Sequence, residues 1–297
     1  MSADRIEHSV RTRLFLLTTF EEVAATIRQQ FRGDVTARHK TNPHDVVTDL
    51  DQQVQRDLER RLTHYLPGSA VFAEEDFQNV PISALSGAFS EAVNEDQAVW
   101  IVDPIDGTSN FVHGFPFFAI SVALWQHGEL AAAVVLNPIS QEAFSADLTR
   151  AYRHSPESAE QVLASSPGRE QARAALSTSH PAAEVLNEDA TKQLAIFADL
   201  VTGFATVRRP ICASLELCYV AAGYSDATLA VDSRPWDAAA GALIAQQAGA
   251  TLHPYWYGPA LPQPAFAAPC YIASAKPYPL LQEAAERIAL LRAEAEM

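Results

Sequence analysis

Apolar positions along this chain follow two rhythms. Leu50, Val54, Leu58, Leu62 and Leu66 recur every four residues, drawing one apolar stripe and predicting a helix. Thr48 and Asp51 stand three apart at its start and read as a capping box. Phe20, Val23, Ala24, Ile27 and Phe31 predict an earlier helix, with Thr19 and Glu22 as its capping box. The other rhythm is β-like, with a short run from Val71 ending in Glu74, Glu75 and Asp76, and further runs at 99–102, 118–125, 129–136, 142–146 and 150–153. Gly128 falls between two of them and predicts a hairpin turn. Residues 38–45 read as a polar loop and 77–96 as a surface excursion.

From 155 to 171 the composition turns polar, which divides the chain into halves at 1–157 and 158–297, expected to pack as one compact unit. The first half reads as rich in antiparallel sheet. In the second, strands at 175–179, 206–208 and 226–231 alternate with helices at 185–200, 214–222 and 236–248, and a final helix starts at Pro279. That alternation predicts a layered α/β arrangement with parallel pairing.

The strand at 99–102 runs into Asp103-Pro104-Ile105-Asp106-Gly107-Thr108-Ser109-Asn110. Pro104 fixes its own backbone and restrains Asp103. Two carboxylates this close repel, and burying them requires that one be protonated or that a cation lie between them. A hard divalent cation such as Mg2+ suits oxygen-only donors. The N–H groups of Gly107, Thr108 and Ser109 follow at once and are placed to hold an anion. The competing reading is an Asp-Gly turn whose acids only cap it. Asp51 and Asp237 each have a capping role of their own, and Glu74 begins what reads as a solvated run of charge.

Net charge is −15 and no Lys/Arg cluster is long enough to neutralise a run of phosphates, which argues against nucleic acid as a partner. Three cysteines, Cys212, Cys218 and Cys270, form no C-x-x-C pair and suggest a reducing cytoplasm. Leu14 to Leu17 is too short for a leader, no stretch approaches a membrane span, and 48% hydrophobic residues suffice for a large core.

Asp103-Pro-Ile-Asp-Gly-Thr-Ser-Asn-Phe, followed by His113-Gly-Phe-Pro116, resembles the signature of the inositol monophosphatase family, and Trp236-Asp237-Ala-Ala-Ala-Gly241 resembles its second motif. The resemblance implies an alternating helix/sheet/helix/sheet/helix sandwich, a homodimer, and a lithium-sensitive phosphatase acting on a small phosphorylated metabolite. By the same resemblance Glu74, Asp103, Asp106, Asp237 and the carbonyl of Ile105 hold two or three Mg2+ ions. Asp51 lies beside them, and Glu74 and Thr108 direct the attacking water. Asp106, Gly107, Thr108, Ser109 and Asp237 contact the substrate, Lys40 matches a loop lysine near the metals, and His113 is structural.

The chain departs from the family at Ala230, where inositol-preferring relatives carry an acid, and at Ile211-Cys212-Ala213, where Gly-Ser-Ala is usual. The implied substrate is inositol monophosphate or a similar polyol phosphate. Histidinol phosphate, fructose 1,6-bisphosphate and a phosphoadenosine nucleotide are the alternatives, beside a partner-binding regulatory protein on this fold.

Overall fold

A computed structural model describes residues 2–33, 37–39, 46–77, 79–93, 97–258 and 263–295. Two large sheets carry the chain. The first has seven strands in chain order, from Ala70–Ala73 through Val99–Asp106, Ala119–Gln126, Glu129–Leu136, Ala143–Asp147 and Ala151–Ser155 to Ser158–Val162. Only its first pair is parallel. The second has five strands, in the order Thr206–Arg208, Ala175–Thr178, Ala227–Val231, Cys270–Ser274, Thr251–Tyr255. Its first two pairs are parallel and its last two antiparallel.

The layers follow from how each strand divides its side chains. Along Val99–Asp106, Trp100 and Val102 face the helices Ala3–Gln30 and Asp49–Tyr65, packing with Phe20, Ile27, Leu58 and Leu62. Val99 and Ile101 face the other way, into a core built from the helices Ala213–Ala221 and Pro235–Gln247. Those two helices lie between the sheets, since the same core takes Ala230, Tyr271 and Ala273 from the second sheet. The far face of the second sheet packs on Ala183–Gly203 and Pro279–Ala295 through Leu229, Ile272, Ile196 and Ile288. Helix, sheet, helix, sheet and helix therefore alternate.

Several boundaries differ from the expectations. The first helix spans Ala3–Gln30 with Ser2 as its cap, so Thr19 is a buried mid-helix residue and no cap, while Glu22 pairs with Arg61 of the next helix. Residues 77–96 are not simply a surface excursion. Helix Ile82–Ala92 seats Leu85 and Phe89 in the central core, where Phe89 meets Phe72, Trp125 and Phe266 edge-on. The strand Ser158–Val162 extends the first sheet past 157, because an edge strand needs no apolar face to pair its backbone. The strands Thr251–Tyr255 and Cys270–Ser274 fall in a stretch where no strand was expected, and their antiparallel pairing makes the second sheet mixed. Ala37–His39 pairs with Val46–Thr48, so the loop expected at 38–45 begins in a short strand, and Lys40 lies outside the described residues. The hairpin at 126–129 has positive φ at both His127 and Gly128, as a two-residue turn between twisted strands requires.

Gly241 fixes the crossing of the two central helices. A Cβ there would lie 2.6 Å from Leu217 Cβ and 3.0 Å from the Ser214 carbonyl oxygen. Gly241→Ala should lower stability by roughly 1–3 kcal/mol through overpacking. The midpoint of urea unfolding checks this, and an unmoved midpoint contradicts the packing described.

Candidate active site

Asp103 and Asp106 are three positions apart, and on a regular strand an odd separation sends side chains to opposite faces. The pairing with Ala119–Gln126 solves this. Asp103 sits opposite Ser121 but Asp106 opposite Ala119, so one extra residue is bulged into the strand between them. Ile105 then joins the outer core, while both acids belong to the opposite side. Asp103 Oδ1 accepts the Ile105 N–H at 3.0 Å, closing the turn around Pro104.

Gly107 follows at φ 87°, in the left-handed region open to glycine. A Cβ would also stand 3.1 Å from the Ile211 carbonyl oxygen and 3.2 Å from that of Phe117. Thr108–Val112 is a single helical turn, and its first hydroxyl lies at the centre of the site. Thr108 Oγ1 is 3.0 Å from Asp51 Oδ1 and 2.8 Å from the Ile105 carbonyl oxygen, both acceptors for its one proton. Asp51 is fully buried and its other oxygen accepts the N–H and hydroxyl of Thr48, at 2.9 and 2.5 Å. The capping box is thus present, and the same carboxylate also faces Thr108.

Asp106 joins the two halves. Its Oδ2 accepts the Ser214 N–H at 2.7 Å, the Ser214 hydroxyl at 2.5 Å and the Cys212 thiol at 3.2 Å. Asn110 adds a second tie, its Nδ2 donating to the carbonyls of Phe117 and Pro210 at 2.7 Å and lying 3.1 Å from that of Ile211. Asp237 opens its helix, and its Oδ2 accepts the Arg234 N–H at 2.9 Å. Glu74 opens the helical turn that ends the strand Ala70–Ala73, within electrostatic reach of Asp51, Asp103, Asp106 and Asp237.

This crowding moves the titrations. Burial, followed by the charges of Glu74, Asp106 and Asp237, holds the Asp103 carboxyl well above the ordinary range. Burial and then Asp106 and Glu74 raise Asp237 to about 8. Burial also raises Asp106, against the hydrogen bonds from Ser214 and Cys212, and lifts Asp51 to about 6. The donors are hard oxygens sharing excess negative charge, and by type they suit a divalent cation. Their side chains do not surround one point: among the described residues no three His, Cys, Asp or Glu groups are arranged to hold a metal ion. The fit rests on donor chemistry and electrostatics.

The structure thus brings Asp51, Asp103, Ile105, Asp106, Gly107 and Thr108 together, with Glu74 and Asp237 facing them. Ser109 stands beside Thr108, its carbonyl accepting the His113 N–H at 3.1 Å and facing His113 Nδ1 at 2.8 Å. The ring of His113 is exposed and folded back on its own turn. Cys212, Ser214 and Asn110 had no assigned role in the sequence reading. Their contacts across the two halves, Asn110 with Pro210 and both Cys212 and Ser214 with Asp106, span 100 or more positions, and no local spacing announces them.

The raised carboxyls make a signed prediction. Between the usual 3.8 and their folded values, the folded chain binds more protons than the unfolded one, so their contribution to stability falls as pH rises through that window. Chelator-treated Asp103→Asn should therefore lose less melting temperature than wild type from about pH 5 to about pH 8. Parallel loss in the two proteins would show that Asp103 carries no such strain.

The chain matches the inositol monophosphatase family over residues 12–292. It is 35% identical over 219 residues to the Nus factor SuhB of Pseudomonas aeruginosa, covering 73% of this chain and 75% of that protein. It is 32% identical over 234 residues to the inositol-1-monophosphatase of Bacillus subtilis, covering 77% and 80%. In structure it resembles the extragenic suppressor protein suhB of Bartonella henselae, with a TM-score of 0.74, 23% identity and coverage of 94% and 98%. With the family match running nearly end to end, the chain belongs to the inositol monophosphatase family.

Proposed function

We propose that this protein is a Mg2+-dependent phosphomonoesterase acting on a small phosphorylated metabolite, inositol monophosphate or a similar polyol or sugar phosphate. The observation that carries the reading is the buried pair Asp103 and Asp106, crowded by the half-buried Glu74 and Asp237 beside a Thr108–Asp51 pair. Family membership supports a phosphatase. Solved chains of this fold, at 20–22% identity, hold inositol monophosphate, 2'AMP, or NADP with Ca2+.

Glu74, Asp103, Asp106, Asp237 and the Ile105 carbonyl would hold two or three Mg2+ ions. Bound there, the ions would acidify a water and neutralise charge on the phosphate oxygens. Asp106 would offer them Oδ1, since Ser214 and Cys212 both donate to its Oδ2. The chain's own groups do the rest. Thr108 donates its proton to Asp51 and turns a lone pair toward the attacking water, and Glu74 accepts from the same water. Asp51, raised to about 6, is poised to take up a proton near neutral pH. The N–H groups of Gly107, Thr108 and Ser109 would fix the phosphate, with Asp106 and Asp237 bordering the substrate. A homodimer in the cytoplasm belongs to the same proposal, and no described helix is long and apolar enough to cross a membrane.

A second reading, a regulatory protein that binds a partner on this fold, draws on the 35% identity to a protein named as a Nus factor. Both roles can share one chain.

Asp103→Asn should abolish phosphate release while circular dichroism and the melting profile stay those of a folded protein. Thr108→Val, which keeps the shape and removes the hydroxyl, should lower kcat by about 10^2- to 10^4-fold. Chelation should stop turnover and added Mg2+ restore it. Wild-type turnover in Asp103→Asn, or under chelation, would overturn the reading.

A further inference from the structure

Of the buried side chains on the helix Asp49–Tyr65, Leu50, Val54, Leu58 and Leu62 form its apolar stripe, and the other two, Asp51 and Gln55, are polar. Asp51 faces Thr108 in the site. Gln55 stands one helical turn further on, 4% exposed, and takes no part in the mechanism above. A buried amide costs stability unless its hydrogen bonds are made.

The partners of this amide show what it holds. Its Oε1 accepts the Glu75 N–H at 3.0 Å, and its Nε2 donates to Glu59 Oε1 at 2.8 Å and to Asp76 Oδ2 at 3.2 Å. Glu75 and Asp76 belong to the helical turn Glu74–Phe77, which is too short to satisfy its own leading N–H groups. Gln55 supplies one acceptor and ties the turn a second time through Asp76. Glu74 is the neighbour of that bonded N–H, and its carboxyl reaches hydrogen-bond range of Asp103. The strand Ala70–Ala73 that leads into the turn is an edge of the first sheet, paired on one side. The hold from the helix therefore fixes where that strand delivers Glu74.

We propose that Gln55 is a positioning residue that keeps Glu74 in register with Asp51. The inference rests on the phosphatase reading. One rigid helix then carries Asp51 directly and Glu74 through the Gln55 amide. The group that takes the Thr108 proton and the group that accepts from the attacking water keep a fixed spacing. Displacing such a group by about 1 Å costs about 10^2-fold in rate. Gln55 does not hold the substrate-contacting turn at 106–109, so the loss belongs to kcat and not to KM.

The test measures kcat and KM, on the polyol or sugar phosphate that wild type hydrolyses fastest, together with Mn2+ uptake and melting temperature, in wild type, Gln55→Met and Gln55→Glu. Gln55→Met keeps the length of the side chain and loses its hydrogen bonds. Its kcat should fall about 10^2-fold with KM within about twofold of wild type, and its half-saturating Mn2+ should rise about tenfold. Gln55→Glu keeps an acceptor for the Glu75 N–H but sets a carboxylate against Glu59 and Asp76. It should melt no higher than Gln55→Met and still recover about tenfold of the lost kcat. Unchanged kcat and Mn2+ uptake in Gln55→Met overturns this inference alone, as does a kcat that follows melting temperature, with Gln55→Glu the slower variant. No phosphate release by wild type from any such ester overturns the phosphatase reading and this inference with it.

Discussion

Like charges held together at a partly buried strand end are the constraint on which the site depends. A single bulged residue at Pro104–Ile105 turns Asp103 and Asp106 to the same side of a central strand, where Glu74 and Asp237 face them. Nothing in the packing of the first sheet requires this. The outer helices could close over Trp100 and Val102 without any acid on the opposite side. The arrangement costs stability whenever the carboxyls are ionised, and a bound cation is the natural compensation.

The rest of the fold brings distant segments to that strand end. Asp106 receives Ser214 and Cys212 from a helix start in the second half, and Gly241 lets that helix approach the one carrying Asp237. Asn110 fastens the helical turn after Gly107 to Pro210 and Ile211. The first sheet therefore meets the helix layer between the sheets through hydrogen bonds at the site as well as through apolar packing behind it.

Much of this was legible in the chain. The four-residue repeat from Leu50 and the strand around Trp100 carry periodicities that packing rewards directly, and the helix from Pro279 begins with a residue suited to that place. The Asp103–Phe111 and Trp236–Gly241 strings named the family. What stayed hidden depends on partners far away in sequence. Leu85 and Phe89 look like a surface stretch until Phe266 and Trp125 close on them, and Ser158–Val162 is polar because its pairing is all backbone. Thr19 mimics a cap in a helix that starts sixteen residues earlier at Ala3. Ser214 carries no local sign that its hydroxyl meets Asp106.

The central claim is that these buried acids form a divalent-cation site. Chelator-treated protein titrated with Mn2+ at neutral pH, with the free ion followed by its paramagnetic resonance, tests it most directly. The account predicts that wild type withdraws more than one Mn2+ per chain, that Mg2+ displaces it, and that Asp103→Asn loses most of this uptake while remaining folded. A folded wild type that leaves Mn2+ free throughout the titration would contradict it.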